Sequence, residues 1–235
     1  MCYSNFSLSP EVLKMQLNKP FATVTPTLDG DVLAVLASAD VTFTVSQIQR
    51  ILTTVSGEGI RKVLTRLTAQ GVVLNDQVGR TNTYRLNTEH LAAEPIMALS
   101  RLTSIFLDRL EAHLEGWGRD LKYAAVFGSA ATGRMTLNSD IDLFLVRACA
   151  PDLDARDSPE LWEQQLTELA RLVTAWTGND ARVVEYAEHD LAAAAAADEP
   201  LLRDVAEQGL TVAGTRAWFN TQLRPVARSS AARRS

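Results

Sequence analysis

Apolar side chains recur with two different spacings along the chain. Between residues 31 and 70 they follow the three- and four-residue spacing of amphipathic helices, and three such helices are predicted. Two short strand-like runs, at residues 72–74 and 83–86, then flank a polar turn and predict a β-hairpin. After residue 120, continuous apolar runs typical of buried strands alternate with helical stripes. The pattern predicts a mostly helical N-terminal domain followed by an α/β (α+β) domain with a mixed sheet.

The segment at residues 123–146 carries the candidate chemistry. Its first apolar run ends at Gly128 and Ser129, and its second follows a Ser-Asp-Ile-Asp sequence that contains Asp140 and Asp142. These aspartates are two residues apart on a predicted strand, so both carboxylates point to the same face. Adjacent like charges repel unless a cation lies between them, and Mg²⁺ commonly takes one or two carboxylates together with substrate phosphates. Because a Gly-Ser turn offers N–H groups and a hydroxyl to a phosphate, the segment predicts phosphoryl or nucleotidyl transfer.

The same residues resemble the signature of polymerase-β-type nucleotidyltransferases, and the likeness is strongest to the small, minimal members of that superfamily. The signature consists of a Gly-Ser pair at residues 128–129, a later glycine at Gly133, and the Ser-Asp-Ile-Asp sequence at residues 139–142. The resemblance extends over residues 91–214. It implies that Asp140 and Asp142 bind Mg²⁺ and that the turn holds the phosphates of a nucleoside triphosphate. The candidate nucleotide-binding residues are Gly128, Ser129, Arg134, Ser139 and Arg182.

The predicted strand at residues 179–187 departs from the family pattern. The family has a third acidic residue on this strand, which completes the metal site and helps to deprotonate the attacking hydroxyl. Arg182 stands at the expected position, where it could hold a nucleotide phosphate or an RNA end. Glu185 is the candidate third catalytic acid, although strand alternation directs it to the opposite face unless the strand has a bulge or a register shift. Asp180 shares the face of Arg182 at the start of the strand.

Residues 31–88 resemble a winged helix-turn-helix domain, because the run at residues 59–67 followed by Gly71 is similar to the recognition helix and wing entry of bacterial regulators. The resemblance implies a helix in the major groove of DNA and a wing on the adjoining backbone. Since the segment is only slightly basic, a solvated helix face in a protein–protein module is the alternative. Winged-helix proteins commonly pair to read two half-sites, so a homodimer is also expected. The candidate DNA-binding residues are Arg61, Lys62, Thr65 and Arg66 on the helix, and Arg80 and Asn82 on the wing.

Composition indicates a soluble, cytoplasmic protein without a membrane span. The chain of 235 residues is 46% hydrophobic and 22% charged, and it has neither a long apolar run nor a secretory signal. Its two cysteines, Cys2 and Cys149, have no metal-ligand partners nearby in the sequence. The expected organisation is a partly ordered leader at 1–30, a winged-helix domain at 31–88, a nucleotidyltransferase domain at 89–214, and a basic, disordered tail at 215–235. Within the leader, the alternatives are a short helix at 9–17 and a poorly ordered segment.

Three functions from different classes are compatible with this sequence. The first is Mg²⁺-dependent transfer of a nucleoside monophosphate from a nucleoside triphosphate to a hydroxyl of nucleic acid or protein; related small transferases occur in toxin–antitoxin systems. The second is a DNA-binding transcriptional regulator whose transferase-like domain lost catalysis with the third acid and senses a nucleotide or mediates dimerisation. A third is a structural interaction protein that binds neither nucleotide nor DNA.

Overall fold

Three helices and a β-hairpin form the N-terminal half of the computed structural model, which describes residues 14–148 and 159–224. Thr44 caps the second helix in a reciprocal arrangement with Gln47, and Ser56 caps the third by accepting a hydrogen bond from Gly59 N at 3.1 Å. This order of elements agrees with the predicted one, while the winged-helix interpretation remains a prediction. The elements are α1 (Leu28–Ala37), α2 (Val45–Ile51), α3 (Gly57–Ala69), β1 (Val73–Val78) and β2 (Thr81–Leu86).

Two helices connect this half to a four-stranded sheet. Helix α4 (Ala93–Ser100) contains Pro95 in its first turn, and α5 (Leu102–Glu115) begins after a break at Arg101. The sheet has the order β5-β4-β3-β6, in which β4 and β5 are parallel and the other pairs are antiparallel. The predicted mixed sheet is therefore confirmed. Its elements are β3 (Leu121–Phe127), α6 (Gly128–Ala131), β4 (Ile141–Arg147), α7 (Pro159–Thr177), β5 (Ala181–Ala187), α8 (Leu191–Ala196), α9 (Pro200–Gln208), β6 (Leu210–Ala213) and α10 (Arg216–Gln222).

Apolar side chains cover both faces of this sheet, which explains the continuous apolar runs of β3 and β4. On one face, Leu143 and Leu145 pack with residues of α5 and α7, including Leu110 and Leu169. On the other face, the alternate positions of β3 and β4 pack with residues of α8, α9 and α10. The strands that carry the candidate chemistry are thus fixed between two layers of helices.

The chain after residue 214 is ordered as far as residue 224, in contrast to the predicted disordered tail. Thr215 caps α10, and Phe219 is fully buried with its ring stacked on Tyr123 at a centroid distance of 4.5 Å. The prediction relied on the basic residues and overlooked this aromatic side chain, whose burial stabilises the helix against the sheet. Residues 225–235 of the predicted tail lie outside the described residues.

The leader is also built into the fold. Residues 14–16 are not helical, so the predicted helix at 9–17 is wrong for this part, while residues 1–13 lie outside the described chain. Met15 and Leu17 are 6% and 3% exposed in the same apolar cluster as α5 and α7. Met15 N donates to Thr177 O at 3.0 Å, and Thr103 Oγ1 donates to Leu17 O at 2.5 Å. The leader therefore belongs to the core beneath the sheet.

No helix among the described residues combines the length and the apolar composition needed to cross a membrane.

Replacing Leu17 by alanine tests whether the leader contributes to this core. Since Leu17 is 3% exposed, we expect Leu17→Ala to lower the free energy of unfolding by about 2–5 kcal/mol. The matched control is Leu91→Ala, because Leu91 is 96% exposed and its truncation should change stability by no more than about 0.5 kcal/mol. Urea unfolding of both variants gives the two values. Equal effects would contradict the placement of the leader in the core.

Candidate active site

The candidate site lies at the N-terminal ends of the parallel strands β4 and β5. Asp142 is paired with Arg182 in a register that continues without a shift to the end of both strands. Ile141 N donates to Asp180 O at 2.9 Å, so Asp140 and Asp180 occupy the adjacent positions just before the two strands. Because side chains alternate along a strand, Asp140 and Asp142 share a face with Asp180 and Arg182. The structure thus brings together the two predicted aspartates and the arginine.

Gly128 allows the Asp142 carboxylate to approach the backbone of the Gly-Ser turn. Its φ is +66°, a left-handed conformation that residues with a β-carbon rarely adopt. A β-carbon at this position would also lie only 2.7 Å from Asp142 Oδ2. The short helix α6 starts here, and Thr132 Oγ1 donates to Gly128 O at 2.9 Å. The turn and the second aspartate of the motif are therefore packed directly against each other.

Two cationic side chains hold the two carboxylate oxygens of Asp140. Lys14 Nζ lies 2.9 Å from Asp140 Oδ1, and Arg182 Nε lies 2.8 Å from Asp140 Oδ2. The hydrogen bond from Lys14 lowers the pKa of Asp140, and the charge of Arg182 acts in the same direction against the opposing effect of burial. The ionised form of Asp140 is therefore favoured, and its negative charge is balanced by Lys14 and Arg182.

Asp142 has the opposite electrostatic environment. Burial raises its pKa, and the neighbouring charge of Asp140 also raises it, whereas the charge of Arg182 lowers it. A half-buried carboxylate whose ionised form is disfavoured gains from any cation brought close to it. The two aspartates thus differ, since one is already compensated and the other is not.

Asp180 and Lys14 are site residues that were not among the predicted ones. Lys14 Nζ lies 3.0 Å from Asp180 Oδ2 and also donates to Asp140. These two hydrogen bonds raise the pKa of Lys14, and the bond to Asp140 has the larger effect. The sequence placed Asp180 on the correct face but gave no reason to select it. Lys14 is 126 positions from Asp140, and an isolated lysine in a leader gives no sequence signal.

Buried Asn179 connects the leader to the loop before β4, and it was also missed. Its side chain is fully buried, with Oδ1 accepting from Met15 N at 2.9 Å and Nδ2 donating to Ser139 O at 2.8 Å. The hydroxyl of Ser139, predicted to bind nucleotide, accepts a hydrogen bond from Thr136 N at 2.9 Å. Ser139 therefore shapes the turn that presents Asp140.

Glu185 does not lie with the aspartates, which corrects its prediction as the third catalytic acid. It pairs with Leu145 in the continuous register of β5, so the bulge that would have moved it to the other face is absent from this described strand pair. Its carboxylate accepts a hydrogen bond from Trp162 Nε1 of α7. Strand alternation places Glu185 on the opposite face of the sheet from Asp142, where it stabilises the packing of α7.

Arg134 is exposed beyond Gly133, and its Nε donates to Thr132 Oγ1 at 3.1 Å. It follows the Gly-Ser loop, and within the described part of the chain it forms no ion pair with Asp140 or Asp142. Its role as a phosphate contact remains a prediction.

The carboxylates of Asp140 and Asp142 fit a Mg²⁺ ion that completes its coordination with phosphate oxygens and water. Asp142 supports this fit, because its half-buried charge is not neutralised by a direct ion pair in the described structure. The described residues contain no group of three or more His, Cys, Asp or Glu side chains arranged to hold a metal ion. Among the described residues, Asp140 and Asp142 are thus the carboxylates that would hold such an ion.

The predicted DNA-binding residues are exposed, as expected for a contact surface. Arg66 forms an ion pair with Asp29 of α1, and Arg61 lies 3.7 Å from Glu58 within α3. These acidic partners reduce the positive charge that the helix presents to a phosphate backbone. DNA binding remains a prediction. The exposed side chains are Arg61, Lys62, Thr65, Arg66, Arg80 and Asn82.

Residues 110–185 match the family model described as nucleotidyltransferase domain. The matched segment comprises about a third of the chain and contains the Gly-Ser turn, Asp140, Asp142 and Arg182. No curated protein matches the chain.

Two solved structures share a limited likeness with the chain. One is a mutant form of the toxin–antitoxin MntA-HpeT, with 19% identity and a TM-score of 0.34 over 50% of this chain and 80% of that chain. The other is a toxin–antitoxin with AMP-PNP, with 23% identity and a TM-score of 0.34 over the same shares of the two chains. At these TM-scores the likeness establishes neither the fold nor the function of this protein.

Replacing Gly128 by alanine tests the close approach of Asp142 to the turn. Gly79→Ala is the matched control, because Gly79 has a φ of +63° but no atom within 4 Å of an added β-carbon. The control should lose about 1–2 kcal/mol of unfolding free energy through backbone strain alone. Gly128→Ala should lose at least about 1 kcal/mol more, since its β-carbon also meets a carboxylate oxygen. Equal losses in urea unfolding would show that Asp142 does not press against the turn.

The two aspartates should affect stability in opposite directions. The pKa of Asp140 is lowered from 3.8, so its ionised form stabilises the fold above 3.8 and this contribution is lost as the pH falls through the lower folded-state pKa. The pKa of Asp142 is raised from 3.8, so its ionised form destabilises the fold above the folded-state pKa and this penalty vanishes as the pH falls toward 3.8. At about pH 7, Asp140→Asn should therefore lower the free energy of unfolding and Asp142→Asn should raise it.

Urea unfolding at about pH 7 and about pH 4 checks both signs. The effect of Asp142→Asn should shrink at the lower pH, while that of Asp140→Asn should persist. Destabilisation by both variants at neutral pH would contradict the assigned environments.

Proposed function

We propose that this chain transfers a nucleoside monophosphate from a nucleoside triphosphate to a hydroxyl group of nucleic acid or protein. The observation that supports this most strongly is the packing of Asp142 against the Gly128 turn, 2.7 Å from where a β-carbon would lie, inside the segment that matches a nucleotidyltransferase domain. A phosphate bound by the turn would lie beside the carboxylates that bind the metal.

In this proposal each residue of the site has a distinct role. Asp140 and Asp142 hold Mg²⁺, which neutralises phosphate charge when it is bound. The backbone of Gly128 and Ser129 orients the β and γ phosphates. Arg182, already positioned beside Asp140 at 2.8 Å, turns its guanidinium to a phosphate oxygen when the nucleotide enters.

Asp180 takes the place that the sequence assigned to Glu185. It lies on the same face as Asp140 and shares the ammonium of Lys14 with it, so the site has a third carboxylate although Arg182 stands at the expected position. Its side chain is 73% exposed, which leaves it accessible to an acceptor. We assign to Asp180 the acceptance of the hydroxyl proton as the acceptor oxygen attacks the α phosphorus and pyrophosphate leaves.

The N-terminal half would bind the acceptor, or would bring the protein to the place where the reaction occurs. Its order of helices and hairpin and the exposed face of α3 support a winged-helix module that binds DNA. We further propose that this module acts as a homodimer in the cytoplasm, since winged-helix proteins commonly pair to read two half-sites. A DNA-reading module makes a macromolecular acceptor more natural than a small molecule. A role in a toxin–antitoxin system stays a hypothesis that rests on the resemblance of the sequence.

A DNA-binding regulator with a non-catalytic nucleotide sensor is the second candidate function. The observation in its favour is that both oxygens of Asp140 are already held by Lys14 and Arg182. A site whose carboxylate is already paired with cations of the same chain could bind a nucleotide without converting it to product. Such a protein would bind DNA in a manner that responds to the nucleotide but does not consume it.

Transfer of label from α-labelled nucleoside triphosphates tests the enzyme. Wild-type protein with Mg²⁺ should label pooled RNA or total cell protein, and Asp140→Asn and Asp142→Asn should each reduce the rate by at least about 100-fold, because transition-state charge is no longer compensated. Asp40→Asn, at an exposed position of the N-terminal half, is the control that should leave the rate unchanged. Transfer that survives both substitutions would refute the proposed site. No transfer despite nucleotide binding would favour the regulator.

A further inference from the structure

Lys14 places an ammonium group between two carboxylates of the candidate site. Its Nζ is 2.9 Å from Asp140 Oδ1 and 3.0 Å from Asp180 Oδ2, and its side chain is 21% exposed. These distances are those of charge-assisted hydrogen bonds. A cation supplied by the leader is therefore already bound where two of the acids meet.

The backbone beside Lys14 is held firmly in place. Met15 N donates both to Thr177 O at 3.0 Å and to Asn179 Oδ1 at 2.9 Å, and the Met15 side chain is 6% exposed. Leu17, two residues further on, is 3% exposed in the same core. Lys14 thus extends from a fixed point toward the acids, in contrast to a surface lysine that meets a carboxylate by chance.

The charges of the site explain what Lys14 does there. Asp140, Asp142 and Asp180 share one face. Among the described residues, Lys14 and Arg182 are the cations that pair with these carboxylates. Carboxylates held side by side need a cation between them, and an ammonium can serve in place of a metal ion. Since Arg182 holds Oδ2 of Asp140, the other oxygen of this carboxylate is the one that Lys14 occupies.

We propose that Lys14 is a built-in competitor of the divalent cation, so that the leader and the metal ion exclude each other at Asp140 Oδ1. This inference rests on the proposed function, because it concerns the same carboxylates. Release of the position requires only a change of rotamer in the flexible four-carbon stem of Lys14, while Met15 and Leu17 stay packed. The leader then keeps the carboxylates compensated until a metal ion with its nucleotide displaces the ammonium.

Binding of Mn²⁺ without nucleotide, followed by the electron paramagnetic resonance signal of the free ion, tests the competition without any activity. Lys14→Met keeps an unbranched, flexible side chain of similar length, one heavy atom shorter, and removes its charge. We expect it to bind Mn²⁺ about fivefold more tightly than wild type, the change that corresponds to the loss of one partly exposed ion pair. Lys14→Arg, which retains the charge, should bind no more tightly than wild type. Lys19→Met, at an exposed position of the same leader, is the matched control and should bind as wild type does.

Two results separate the failure of this inference from the failure of the proposed function. If Asp140→Asn weakens Mn²⁺ binding but Lys14→Met binds as wild type does or more weakly, the metal site stands and the competition is refuted. If Asp140→Asn binds Mn²⁺ as tightly as wild type, the metal site itself is refuted, and the inference falls with it. Unfolding curves of each variant confirm that the comparison is made on folded protein.

Discussion

The repulsion between carboxylates on one face of two adjacent strands is the constraint on which the site depends. Asp140 and Asp142 lie two residues apart at the start of β4, and the charge of Asp140 raises the pKa of Asp142, so the pair is unfavourable until a cation lies near it. In this structure, Lys14 and Arg182 compensate Asp140, while Asp142 keeps a raised pKa. The cost of the uncompensated charge is what makes the face ready to bind a further cation. Perturbed pKa values of this kind are often found at functional sites.

The rest of the domain holds these charges in position. Helices on both faces of the sheet fix the strands, and the ring stack of Phe219 on Tyr123 closes the face on which Phe144 also packs. Asn179 connects the leader with the turn before Asp140 through hydrogen bonds of its fully buried side chain. These interactions fix the backbone positions from which the side chains of Lys14 and Asp140 extend. The leader is part of that arrangement, although it precedes the N-terminal helical half in the sequence.

Local signals made part of the site predictable from the sequence. The alternation of Asp140 and Asp142 on one strand and the Gly-Ser turn depend on neighbouring residues only, and the structure places both together. Strand alternation also indicated that Glu185 points away, and the continuous register of β5 shows that this simple rule outweighs the expectation of a third acid taken from the family pattern. The helix α10 could have been anticipated from the capping Thr215 and the aromatic Phe219, had the basic residues not dominated the interpretation.

The remaining features depend on contacts between distant parts of the chain. Lys14 reaches Asp140 across 126 positions and Asp180 across 166, and nothing in a single sequence links these residues. The role of Asn179 was equally unpredictable, since an asparagine after a helix is ordinarily an exposed turn residue. It is buried here because the leader packs against it and hydrogen-bonds to its side chain. The sequence thus predicted the aspartates of the site, whereas it did not predict the cationic side chain from the leader that balances their charge.

The most direct test of the account is to locate a bound metal nucleotide on the folded protein. Mn²⁺ together with a non-hydrolysable nucleoside triphosphate broadens the nuclear magnetic resonance signals of amides close to the ion. The account predicts selective broadening at Gly128, Ser129, Asp142 and Arg182, while Lys62 on α3 and Gly79 in the hairpin remain sharp. Broadening centred on another part of the chain, or none at nucleotide concentrations that saturate binding, would contradict the assignment of this face as the nucleotide site.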